Sequence, residues 1–145
     1  MRPSLRPVLA LAVALALTGG LAVADSANPV IAARQQVMKG IGGSMKVLGD
    51  MASGKAAFDA AAARAATEKL QASAAQIPAA FAQNVTDADS KASPKIWTDH
   101  AEFLRHAEKL EAGTKAVDPS SLDHLKASLG AAGGECRECH TEFRL

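Results

Sequence analysis

Tyrosine is absent from the 145 residues, and the other aromatics amount to one tryptophan and four phenylalanines. Runs of β-branched residues are almost missing as well, so the alternation that builds a sheet occurs nowhere in the chain. Alanine-rich stretches take their place and favour helix throughout. An excess of charge of one sign is also lacking, since 16 Lys and Arg face 15 Asp and Glu; nothing in that balance points to nucleic acid or anionic lipid as a partner. Cysteine is limited to two residues, too few for a disulfide framework. No internal repeat recurs.

The longest apolar run lies at the N-terminus. Arg2 and Arg6 form a positive n-region, residues 8–18 an apolar h-region, and Ala22-Val23-Ala24 an A-x-A cleavage site, the pattern of a secretory signal over residues 1–24. Gly19 and Gly20 interrupt the run and no charged flank follows it, which argues against a retained membrane anchor. Cleavage after Ala24 leaves residues 25–145 as one exported, soluble domain with room for a single core. Loss of Arg2 and Arg6 takes the 16 basic residues to 14 against 15 acids, a net charge of −1.

What the chain does have is Cys136-Arg137-Glu138-Cys139-His140, the C-x-x-C-H spacing that attaches a c-type haem. Thiols three residues apart lie on one side of a helix about a turn apart, within reach of both vinyl groups of one porphyrin, and the adjacent imidazole can take the iron. A thioredoxin-like dithiol would need a βαβ setting that is missing here. Structural zinc would need four ligands where the cluster offers three. In an oxidising compartment free thiols pair, but a disulfide between these positions would be awkward on a helix and would leave His140 without a role. One covalent haem c uses both cysteines and leaves none over.

Caps and breakers place four helical segments. The first opens at Asn28-Pro29 and runs to about Met51, ended by Ser53-Gly54. A weakly patterned second extends from about Ala56 to Ile77 and stops at Pro78. Residues 82–92 form a polar connection. A third opens at Ser93-Pro94 and continues to about Ala116 before Asp118-Pro119. The fourth starts at Ser120, whose hydroxyl is expected to cap the Asp123 amide, and runs through the haem motif to about Phe143. Gly130, Gly133 and Gly134 weaken its middle, which suggests a packing reason for them.

Heptad steps of three and four mark the faces that meet. They take in Ile31, Arg34, Met38, Ile41, Met45, Leu48 and Ala52 in the first helix, and Ile96, His100, Phe103, Ala107, Leu110, Thr114 and Val117 in the third. In the fourth they take in Leu122, Leu125, Leu129, Ala132, Cys136, Cys139 and Phe143. Short connections favour antiparallel neighbours, so the expected fold is all-α, an antiparallel four-helix bundle enclosing the haem near one end. His106 and His124 fall off the seam and are expected to be solvated.

With Arg34-Gln35-x-x-Met38 in the first helix, Trp97 and Phe103 in the third, and Cys136-x-x-Cys139-His140-x-x-Phe143-Arg144 closing the last, the chain resembles the class II c-type cytochromes. That is the cytochrome c-prime and cytochrome c-556 family, whose haem motif stands near the C-terminus. The resemblance implies a periplasmic four-helix bundle in which Arg34 and Gln35 reach the haem propionates. Independently, Arg34 occupies a seam position where an unpaired guanidinium would be costly; a propionate, a carboxylate across the bundle or an escape to solvent would each relieve it. His140 is the expected proximal iron ligand.

The other axial position separates two functions. Met38 matches the family position on the distal side, which carries a ligating methionine in the c-556 type and a non-ligating residue in cytochromes c-prime. A His/Met pair suits an electron carrier; an open site suits NO or CO. The Met38-to-Met45 run resembles the c-556 branch, and Gly40, Gly42 and Gly43 would let the first helix approach the porphyrin closely, so Met38 ligation is the leading expectation. Methionine at helical spacing also serves as core filler. No distal acid–base residue stands near Met38 apart from Arg34, so no catalytic residue and no enzyme activity are expected. Expected partners are periplasmic redox proteins, with NO or CO under the second reading. The resemblance further implies a homodimer through the first two helices, although the Ala-rich second segment offers no clear apolar stripe for one.

Overall fold

The computed structural model describes residues 25–145, so the expected signal segment lies outside the described residues. Helix α1 spans Pro29–Ala52. Its start follows from the sequence: the Asn28 side chain accepts the Val30 amide at 3.0 Å, and Pro29 fills the first helical position, where a missing N–H costs nothing. The turn that ends it passes through Gly54 at φ +78°, a conformation that favours glycine. Helix α2, Ala60–Ala74, begins at Asp59, whose carboxylate accepts the Ala62 amide at 2.9 Å.

The second segment departs from expectation at both ends. Residues 56–58 precede the Asp59 cap and lie outside the helix. Pro78 opens a separate one-turn helix α3, Ile77–Ala80, instead of only closing α2, because its fixed φ is preorganised for a first turn. The third segment is likewise broken, into α4, Lys95–Thr98, and α5, His100–Lys115, at Asp99, whose φ of −128° and ψ of 52° leave the helical region. Helix α6 spans Leu122–Phe143 and is capped by Ser121, one residue beyond the expected position, through the His124 amide at 3.2 Å.

Helices α1, α2, α5 and α6 form an antiparallel four-helix bundle, with α1 against α2 and α6, and α5 against α2 and α6. Residues 82–94 and the two short helices cross one end. The C-terminus is tied there as well, by the Ser93 amide to the Phe143 carbonyl and the Leu145 amide to the Lys91 carbonyl, both at 2.9 Å. Ile31, Leu48, Leu70, Ile96 and Leu125 are fully buried. Phe103 sits between Phe81 and Phe143, with ring centroids 5.3 and 5.4 Å away. Among the described residues no helix is long and apolar enough to cross a membrane.

Candidate haem site

Helix α6 sets Cys136, Cys139 and His140 along the wall it turns toward α1 and α5. Two cavities meet there. One, of about 440 Å³, opens at the bundle end and is lined by Arg34, Gln35, Met38, Phe103, Cys139, His140, Phe143 and Arg144. The other, of about 240 Å³, runs into the bundle past Met38, Ile41, Gly42, Met45, Phe103, His106, Leu110, Cys136, Cys139 and His140. Met38, Phe103, Cys139 and His140 belong to both. The seam read from the sequence is therefore not uniformly buried: Met38, Met45, Cys136 and Cys139 are only partly buried, because they border these cavities. Val37, Ser44 and Met51, off the expected seam, are buried on the flank of α1 next to Ile41 and Leu48.

The chemistry of the wall is set by its surroundings. Neither cysteine is in a disulfide. Burial raises the Cys136 thiol above its ordinary value. Burial, then the negative Glu135 and the neighbouring Cys136, pushes Cys139 up to about 11. Both groups therefore remain thiols at neutral pH, which opposes oxidative pairing. Desolvation, then the positive charge of Arg144, lowers His140 from its ordinary value and favours the neutral imidazole with a lone pair to offer. Two thiols, a neutral imidazole and a thioether along an apolar cavity form a donor set that fits a haem c.

Arg34 is buried at 4 % exposure, as its seam position predicts, and its partners within the protein are backbone carbonyls. Its Nε donates to the Ala80 carbonyl at 3.1 Å and one Nη to Val85 at 2.7 Å, while the other Nη is held by the Gln83 carbonyl. The guanidinium is also flanked by the Phe81 and Trp97 rings, 5.3 and 4.9 Å from their centroids. Loop carbonyls thus take three of its five N–H groups. They do not neutralise its charge, and two donors remain on the residue that lines the cavity mouth. Gln35, beside it, accepts the Ser26 amide at 2.8 Å and so fixes the start of the described chain.

Other expectations are redirected. Gly40 faces α2 and not the cavity, since a Cβ there would lie 2.5 Å from the Ser73 hydroxyl; Gly42 alone of the three glycines lines it. Trp97 donates its indole N–H to the Phe81 carbonyl at 2.9 Å. The His100 Nδ1 is bonded to the Ile96 carbonyl at 3.1 Å, a rim histidine outside both cavities. His124 is exposed, as expected, but His106 is 3 % exposed and paired with Glu135 across α5 and α6. Sequence reasoning missed that pair; the available signal was His106 three residues after Phe103 and four before Leu110, on the flank of the buried stripe.

The cytochrome c' family matches residues 29–144, which include the haem motif and the whole bundle. The chain belongs to the cytochrome c' family. A cytochrome c' from Rhodopseudomonas palustris is 36% identical over 131 residues, 88% of each chain. A cytochrome c-556 from the same organism is 33% identical over 141 residues, 90% of this chain and 91% of that one. Among solved structures, cytochrome c' from Rubrivivax gelatinosus superposes with a TM-score of 0.71 at 28% identity, over 77% of this chain and 91% of that one. A nitric oxide complex of a variant cytochrome c-prime from Alcaligenes xylosoxidans gives 0.72 at 27% identity, over 83% and 98%. This cytochrome c' family member is accordingly a mono-haem protein that carries one covalently attached haem c.

Proposed function

We propose that the protein is an exported electron-transfer cytochrome, cleaved after Ala24 to leave the bundle domain 25–145 in the periplasm, with periplasmic redox proteins as partners. Cys136 and Cys139 would hold the haem through thioether bonds and His140 would ligate its iron. Met38 would supply a second iron ligand, and Arg34 and Gln35, at the cavity mouth, would meet the propionates. The haem supplies a one-electron couple. His140 is held neutral with a lone pair to offer, and a neutral imidazole with the soft thioether of Met38 would suit iron in both oxidation states. Apolar walls from Phe103, Ile41 and Leu110 exclude water. No catalytic residue is assigned.

The observation that carries this reading is the position of Met38, partly buried and bordering both cavities together with His140 and Cys139. A second reading, an open distal site that takes NO or CO, has its own support: Alcaligenes xylosoxidans cytochrome c-prime variants have been solved with nitric oxide and with carbon monoxide bound. Absorption spectra of the purified protein in both oxidation states separate the two. Low-spin bands with a thioether-to-iron charge-transfer feature, lost in Met38→Ala, are the expected result. A high-spin spectrum with ready CO uptake by the ferrous wild type would assign the second reading instead.

A further inference from the structure

Outside the haem motif, the most unusual group in the bundle is His106. It lies on α5 at 3 % exposure, its ring edge-on to Phe143 with centroids 5.8 Å apart. Its Nδ1 is bonded to Glu135 on α6. A carboxylate only accepts, so that contact fixes the proton on Nδ1 and leaves Nε2 of the neutral ring as a bare lone pair. Among the described residues Nε2 has no hydrogen-bond partner. What it faces is a pair of carboxylate oxygens, Glu102 Oε1 at 3.5 Å and Glu142 Oε1 at 3.8 Å.

Three lone-pair donors that converge in this way call for a positive centre. A second proton on Nε2 would find both oxygens beyond good hydrogen-bond length. A metal ion suits the spacing better, because ligands about 2.0–2.2 Å from a tetrahedral zinc stand roughly 3.2–3.6 Å apart. The Glu135–His106 contact supplies the outer-sphere carboxylate that orients metal-binding histidines and fixes their tautomer. Glu102 and Glu142 lie at the rim, with side chains 30% and 38% exposed, so an ion can enter between them and keep a water as fourth ligand. Each is tethered by a neighbour, Glu102 by Arg105 through both oxygens and Glu142 by Lys95 through Oε2 at 2.6 Å. These cations hold the carboxylates in place and leave Glu142 Oε1 free, while an ion at Glu102 would share Oε1 with Arg105.

We propose that Glu102, His106 and Glu142 form a binding site for one divalent transition cation of the zinc type, with Glu135 as its outer-sphere partner. The imidazole selects such an ion over calcium or magnesium. Calorimetric titration of zinc chloride into the haem-loaded protein tests it. The wild type is expected to take up one zinc per chain. Glu142→Gln is expected to bind at least tenfold more weakly, and Glu102→Gln with Glu142→Gln to show no saturable uptake, while Glu108→Gln, exposed on the same helix, binds as the wild type does. These carboxylates are at the surface, so helical content and Soret intensity of the variants report that the fold is kept. No saturable uptake by the wild type, or undiminished uptake by the double variant, would overturn the site. Glu135 and Glu138 converge on the same imidazole as a rival set, so loss of uptake in Glu138→Gln with Glu142→Gln unaffected would also overturn the site and move the ion to the Nδ1 side.

Discussion

A guanidinium inside a helix bundle is a costly object, and Arg34 shows how the chain accommodates one. Burial alone lowers its proton affinity from the ordinary arginine value, but its fork is matched by three carbonyls of residues 80–85 and its faces by Phe81 and Trp97. The side chain therefore pins the connection between α3 and α4 onto α1. Replacing it with alanine leaves three carbonyls without their charged donor, at a cost of about 3 kcal/mol. Arg34→Ala should lower the free energy of unfolding by that order in a denaturant titration, and Arg34→Lys should recover only part of it, since an ammonium cannot serve three separated acceptors. The sequence marks Arg34 as out of place on an apolar seam. It does not reveal the carbonyls, because they belong to a polar stretch with no periodicity, whose path is set by tertiary contact.

At the scale of helices, what was legible follows from local chemistry. Asn28-Pro29 starts α1 where the cap rule places it, and the stripe Ile96, Phe103, Ala107, Leu110, Thr114 and Val117 is buried as read, with His100 alone of its members only partly buried. The breaks were less legible: Pro78 suits a helix start as well as a helix end, and Asp99 leaves helical geometry without any residue that forbids it. The glycines reverse expectation most clearly. Gly130 and Gly134 have open space at their Cβ positions, and Gly133 only an ordinary contact with Met45 at 3.8 Å. The close approach of α5 and α6 is made instead at Gly113, where a Cβ would come 3.3 Å from the backbone of Ala132. Backbone cannot swing aside as a side chain can. Gly130→Ala should thus gain up to about 1 kcal/mol from helix propensity, whereas in Gly113→Ala the overpacking should exceed that gain and destabilise by about 1 kcal/mol net. Thermal unfolding of the two variants should shift in opposite directions.

For the molecule as a whole, the bundle closes on all four sides but keeps a cavity between α1, α5 and α6 that the haem can fill. The residues around the inner cavity, Ile41, Phe103, Leu110 and the two cysteines among them, are the same ones that would otherwise form the middle of a core. At about 24 cal/mol per Å³, a cavity of 240 Å³ corresponds to roughly 6 kcal/mol, comparable with the 5–15 kcal/mol net stability of a domain. The porphyrin is therefore a structural component of the fold. Cys136→Ala with Cys139→Ala removes both proposed attachment points while leaving caps, turns and the α1–α2 and α5–α6 contacts intact. Such a chain should keep most of its far-ultraviolet helical signal but lose fixed packing around Trp97 and bind a hydrophobic dye. A sharp, cooperative unfolding transition at the holoprotein's midpoint would show instead that the four helices pack sufficiently without the haem.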